Sequence, residues 1–410
     1  VRIGRFRAAC LALLVPVGLA LADWPQWRGP NRDGTLAGEK LPDALPERLP
    51  LKWKQPLGGG YGGVAVADGR VYVMDRQKAP AEVERVVCLD ADTGKAVWTH
   101  SYPVAYGKLD YGNGPRGTPT VHDGRVYTFG ALGHLHCLDA VTGKVIWQHD
   151  CVKAFQARVP TWGHACSPLI DGDRLIVQVG APDGCLMAFD RATGKEVWRS
   201  VSDPPGYASP TILATDGFRR LVYWTPEHIV GVDPDTGKER WKVAFPITYG
   251  VSIADVVWDG RVILASNYWT GSKALRLDAK GDNPELVWEG KAWSGLMSTP
   301  LVRDGKVYAI DRFKSLKCLE LATGKVLWEG EPVTRDRDRN PQASLIAVGS
   351  RVLIFNDQGE LILGDLEPAG FKRLGTAAIL PDQRPWAHHA VAGGRVYART
   401  DEEIVCVGLK

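Results

Sequence analysis

From Leu51 onward, apolar and polar residues alternate in short runs, and the runs come in fours. "GHLHCLDAVTGKVIWQH", starting at Gly133, is one alternating run, a turn and a second run, the pattern of a β-hairpin. Just upstream, "TPTVHDGRVYTFG" is a second hairpin that pivots on Asp123-Gly124. The upstream hairpin returns near Ala67, Leu169, Ala214, Val257, Val302, Ala347 and Ala390, which with Asp123-Gly124 makes eight copies. The downstream hairpin returns as "DTGKAVW", "ATGKEVW", "DTGKERW" and "ATGKVLW", survives only as "LDAKGDNPELVW" near Trp288, and decays to "GFKRLG" near Leu374.

Four strands per unit at a period of about 45 residues predict a β-propeller. The class is all-β, with eight four-stranded antiparallel blades over residues 51–410. Closing the ring hides the strand edges that eight open sheets would expose. "LPLKWKQ" ends in an outer strand at Leu51–Gln55 with no inner three before it, and the last unit ends at its third strand. The N-terminal strand is therefore expected to complete the last blade beside Ile404–Val407.

The repeated phrase has a structural use. Asp139 can accept hydrogen bonds from the turn backbone, and Gly143 supplies the positive φ that the turn needs. Along "KVIW", Val145 and Trp147 are expected on one face and Lys144 and Ile146 on the other. Trp53, Trp98, Trp147, Trp198, Trp241, Trp288 and Trp328 recur at the same outer-strand place, suited to wedging against the neighbouring blade. Each indole buries ~150–250 Å², roughly 4–6 kcal/mol as an upper bound. Cys88, Cys137, Cys318 and Cys406 also recur at equivalent places, which keeps them apart and makes them small buried hydrophobes. Cys151, Cys166 and Cys185 remain as disulfide partners, with Cys166–Cys185 the favoured pair.

Residues 1–22 read as a cleaved signal peptide: Arg2, Arg5 and Arg7, an apolar run from Ala8 to Leu21, and a small-x-small site at Ala20–Ala22. The run is short for a membrane span, and no second long apolar stretch follows. Without those three arginines, 47 basic residues balance 47 acids, leaving no field to gather nucleic acid or an anionic membrane. The expected product is periplasmic or extracellular, soluble and monomeric. Residues 23–50 belong to no blade. "WPQWRGPNRDG", Trp24 to Gly34, is expected as an extended strap on the propeller surface or as a partner-docking peptide.

"LDAVTGKVIW" resembles the tryptophan-docking repeat of the PQQ-dehydrogenase-like propellers, a likeness that runs from Leu51 to Lys410. The opening "WPQWRGPNRDG" is similar to the start of secreted PQQ-like or BamB-like bacterial proteins. One branch of the family implies pyrroloquinoline quinone with calcium and alcohol or sugar oxidation. The other, the BamB-type outer-membrane assembly factor, implies protein partners and no cofactor. The sequence departs from both: it has no Cys-Cys pair and no recognisable calcium-ligand set. Asp23, rather than a lipid-bearing cysteine, follows the signal peptide, so no lipoprotein is expected.

Subtracting the repeat leaves eight irregular links that run from an outer strand to the next inner strand, all at one mouth of the channel. They carry the candidate binding residues Tyr61, Tyr111, Arg116, Trp162, His164, Tyr207, Tyr249, Trp293, Asn340, Gln342, Trp386 and His388. Aromatic rings with a few polar groups suit a sugar, a peptide or a cofactor. No nucleophile elbow, phosphate loop or zincin helix occurs. His134 and His136 share a strand face without an acidic ligand phrase, so no catalytic or metal residue is assigned. The expected function is non-enzymatic binding of an envelope protein or glycan. The alternative is a quinoprotein oxidoreductase with a divergent cofactor site.

Overall fold

A computed structural model describes residues 23–410 except Lys108, Asp110, Ala292, Leu296, Arg312, 335–341, Pro368, Asp382 and Arg384. The expected signal peptide lies outside the described residues. Eight four-stranded antiparallel sheets form a ring, each running from a short inner strand to an outer one. In blade 1 the strands are Ala65–Ala67, Arg70–Gln77, Val83–Asp90 and Ala96–Pro103. Blades 2 to 7 cover 120–150, 169–200, 211–244, 257–290, 301–332 and 343–378. Blade 8 takes three strands from 390–408 and its outer strand from Leu51–Pro56, with Trp53 opposite Cys406 and Gln55 opposite Ile404. The ring closes as the strand count required.

Blade-to-blade docking explains the Thr-Gly-Lys phrase. In blade 2, Asp139 Oδ1 accepts from Thr142 N (2.7 Å) and Thr142 Oγ1 (2.8 Å), which fixes the turn. Gly143 then adopts φ +69°, and the Trp98 indole of blade 1 lies flat over it. A Cβ on Gly143 would stand 2.6 Å from that ring. Trp98 Nε1 donates to the Ala140 carbonyl at 3.0 Å. The arrangement repeats for Trp53 on Gly94, Trp147 on Gly194, Trp198 on Gly237 and Trp288 on Gly324. Where blade 7 lacks the phrase, the Trp328 indole nitrogen is buried with no partner among the described residues.

Simple alternation fails in one detail. Val145 is exposed while Trp147 is buried, because the pairing shifts between Cys137/Trp147 and Leu138/Val145. Ile146 is the extra residue of a β-bulge, which re-aims the tryptophan toward the next blade. The same shift precedes Trp98, Trp198, Trp241, Trp288 and Trp328. Opposite each bulged tryptophan the third strand carries a small residue: Cys88, Cys137, Ala188, Gly231, Ala274 or Cys318. The recurring cysteines are thus spacers beneath an indole.

Cys166 and Cys185 are not joined; all seven described cysteines are buried free thiols. Cys166 packs with Phe129 and Val177, and its sulfur accepts from Gln178 N, whereas Cys185 packs with Tyr223 and Trp198. The two lie in different apolar clusters either side of blade 3, so the expected disulfide does not form.

The segment after Asp23 is not a surface strap. Trp24 pairs with Val66 of blade 1 through two 2.8 Å backbone bonds, and Pro25 O accepts from Val121 N of blade 2. Arg28 is buried and donates to Thr299 O (3.0 Å) and Pro300 O (2.8 Å) beside blade 6. Arg32 donates to Pro168 O (3.0 Å) beside blade 3, and Thr35 bridges Ala347 of blade 7. These inner-strand partners place the segment across the central channel. Backbone groups that would line an open pore find partners there instead, and an unpartnered buried group is costly.

Candidate functional site

Each link enters its inner strand through a short polar step, and these steps join hands around the channel. Gly63 N donates to Thr118 Oγ1 (3.0 Å), Thr118 N to Ser167 Oγ (3.0 Å) and Ser167 N to Ser209 Oγ (3.0 Å). Ser209 N then donates to Asp255 Oδ1 (2.7 Å), and Asp255 N to Thr299 Oγ1 (3.1 Å). The belt holds the links in place and has one odd member. Where the neighbouring blades offer a hydroxyl, blade 5 offers the carboxylate of Asp255. Its second oxygen accepts the indole N–H of Trp27. Burial raises the Asp255 carboxyl above the ordinary carboxylate range, against the pull of the Trp27 bond and of Arg28 and Arg32.

Above this belt lies a cavity of about 190 Å³. Eight of the expected binding residues line it: Tyr61, Tyr111, Arg116, Trp162, Tyr207, Gln342, Trp386 and His388. On one side Trp386 packs 5.6 Å from Tyr61 and 5.5 Å from Tyr111, and the Arg116 guanidinium stands 5.2 Å from the Tyr61 ring centre. Trp162 and Tyr207 form another wall, 5.6 Å apart. Burial lowers the Arg116 pKa and raises that of Tyr207 to about 12. His388 is held neutral, well below the ordinary imidazole value, by burial and then by Arg28. Trp27 packs on it at 4.2 Å.

Three other candidates are placed elsewhere. His164 is buried against Phe129 (4.7 Å), where burial lowers its pKa to about 3. Trp293 is 1% exposed and donates to Ile310 O, so it packs blade 5 against blade 6. Tyr249 stands on the rim, 74% exposed and edge-on to Trp269 at 5.3 Å. Asn340 lies outside the described residues.

Trp27, Asp255 and Trp269 also line the cavity and were not anticipated. Trp269 sits in the turn between the second and third strands of blade 5. Such turns open on the same face as the links, so strand direction alone could have found it. Trp27 had no such signal, since nothing in the repeat says where a segment outside it lies.

Elsewhere on this face, Asp203, Glu227 and His228 approach one another closely enough to hold a cation. Asp203 is already bonded to Lys242 (2.6 Å), Thr225 (2.7 Å) and His228 (2.8 Å), an ion-paired set. In the cavity, calcium would need six to eight oxygen ligands. Among the described residues the lining offers one carboxylate, Asp255, whose oxygens are engaged by Ser209 and Trp27, and one carboxamide, Gln342. No described cysteine lines it. That donor set does not fit a calcium-bound quinone. Among the described residues, no helix is long and apolar enough to cross a membrane.

Comparison with known proteins agrees with this architecture. An outer membrane protein assembly factor BamB from Bordetella pertussis is 28% identical over 178 residues, 42% of each chain. The quinohemoprotein alcohol dehydrogenase ADH-IIG of Pseudomonas putida is 23% identical over 300 residues, 66% of this chain and 38% of its own. The matches thus span less than half the length of either relative. The crystal structure of BamB from Moraxella catarrhalis superposes with a TM-score of 0.60 at 16% identity, covering 87% of this chain and 97% of that one. The family model described as outer membrane protein assembly factor BamB matches residues 50–105, 82–223 and 225–409, and the chain belongs to that family.

Proposed function

We propose that this is a non-enzymatic binding propeller of the cell envelope whose channel mouth holds a glycan. The observation that carries the reading is the aromatic cup. Trp27, Tyr61, Trp162, Tyr207, Trp269 and Trp386 surround one small cavity with few polar groups among them. Aromatic faces stack on the C–H faces of sugar rings, while sparse polar groups set orientation. About 190 Å³ falls below the roughly 300–1,000 Å³ of clefts for drug-sized molecules, a space for one ring of a chain that continues outside. Tyr249 and Trp269 on the rim offer a surface for the next ring. The envelope location rests on the expected signal peptide and on the BamB relative.

The test is a glycan array probed with the mature protein and with Trp386→Ala. Binding to a defined set of glycans, reduced in the variant, supports the reading. Absence of binding to every glycan, or binding that survives Trp386→Ala, overturns it. The quinoprotein alternative draws on the alcohol dehydrogenase relative. Pyrroloquinoline quinone and calcium added to the protein, followed by dye reduction with alcohols, would support that alternative against the present one.

A further inference from the structure

We propose that the cavity selects an acidic sugar, a ring bearing a carboxylate such as a uronic acid, with Arg116 as the carboxylate receptor. This rests on the glycan reading above and names the class of glycan. A guanidinium has five N–H donors. Arg116 gives two of its bonds to carbonyls of its own loop, Gly114 O (2.5 Å) and Gly112 O (2.8 Å). Among the described residues, no carboxylate comes within ion-pair distance of it. It stands 5.2 Å from the Tyr61 ring centre and lines the same cavity as Trp162 and Tyr207, within reach of a ring held there.

Arg28 and Arg32 of the channel segment act on Asp255, the described carboxylate that lines the cavity. Asp33 also offsets Arg28, so Arg116 is the lining cation whose ion partner a bound anion would supply. A planar guanidinium matches a carboxylate through two parallel bonds, a match that a neutral hydroxymethyl group cannot make. Trp162 offers its ring to the cavity, while its indole nitrogen is buried with no partner among the described residues. A neutral aromatic ligand would satisfy the stacking walls but leave the Arg116 guanidinium without an anion.

The experiment titrates the mature protein with sodium glucuronate and with glucose, following tryptophan fluorescence and calorimetry. Glucuronate is expected to bind at least about tenfold more tightly than glucose, since charge-assisted pairs are about twice as strong as neutral ones. In Arg116→Gln that preference should fall to near unity. Raising salt to about 0.5 M should weaken glucuronate and leave glucose unaffected, because screening acts on the charge alone. The salt arm uses the unaltered protein, so it stands even if the variant fails to fold. Glucose binding as tightly as glucuronate, or a preference that survives both Arg116→Gln and salt, overturns the acidic-sugar assignment and leaves the glycan reading intact. Binding of neither sugar, while a short acidic peptide binds through Arg116, overturns both.

Discussion

The Trp147 indole lies over Gly194 of the next blade, with a Cβ at Gly194 placed 2.6 Å from ring atom Cδ2. Gly194 also holds φ +73°, so any side chain there is strained twice, by backbone and by contact. Gly194→Ala should therefore cost more than the roughly 1 kcal/mol typical of a strained glycine, and Trp147→Ala about 3–5 kcal/mol. In the double variant the two costs should fall short of their sum, because the alanine methyl can occupy space the indole has left. Chemical denaturation of the four proteins checks this. Simple additivity would mean the two residues do not act on one another.

Two tryptophans of the same series should behave differently. Trp288 Nε1 donates to Leu321 O at 2.7 Å, while Trp328 Nε1 is buried with no partner among the described residues. Trp288→Phe removes a bond and leaves a carbonyl unmet, so it should cost about 1–2 kcal/mol beyond the loss of ring area. Trp328→Phe removes an unmet donor, so it should cost only the loss of ring area. Melting temperatures of the two variants decide the point.

Glu84 is fully buried between blades 1 and 2, accepting from the Tyr102 and Tyr106 hydroxyls and from Ala131 N (3.1 Å). Burial raises its carboxyl above the ordinary 4.5, against those hydrogen bonds. The native protein therefore keeps this proton after the unfolded chain has lost it. The stability Glu84 contributes is full below about pH 4.5 and drains away as pH rises through the elevated native value. Glu84→Gln keeps the shape and removes the charge, with its amide nitrogen donating to one tyrosine oxygen in place of the bond that Glu84 accepts. The variant and parent should be similar in stability near pH 4, and the variant should gain by about 1.4 kcal/mol for every tenfold weakening of the native acid as pH rises to 8. A gain that does not grow with pH would contradict the assignment.

The ring was legible because the docking phrase is local: turn, glycine and tryptophan lie within a dozen residues, and repetition shows what the positions share. Bulges were not legible, since the residue that is squeezed out, such as Ile146, differs from its neighbours only in pairing. The site divides in the same way. Arg116, Trp162 and Trp386 could be found because links that differ between repeats stand out against the frame. Trp293 is equally large and also sits in a link, yet it packs between blades; composition cannot tell an indole aimed outward from one aimed inward. The role of Asp255 depends on a belt of bonds between links about 45 residues apart, and that of Trp27 on a segment outside every repeat. Both are tertiary facts.

The segment that carries Trp27 should prove to be part of the fold rather than an appendage. Arg28 is 4% exposed, and its guanidinium reaches Thr299 O, Pro300 O and Asp33 O, the last at 2.7 Å. Methionine would fill much of the same volume but offer no donors, leaving buried carbonyls without partners at about 1–3 kcal/mol each. Arg28→Met should lower the melting temperature by several degrees and, because Trp27 rests on the same backbone, redden the tryptophan emission as the cavity floor loosens. Arg28→Lys keeps the charge but has a single nitrogen to share among these acceptors, and should fall between the two. If Arg28→Met melts and emits like the parent, the channel segment contributes nothing to the ring. Trp27 would then be a passenger in the cavity rather than its floor.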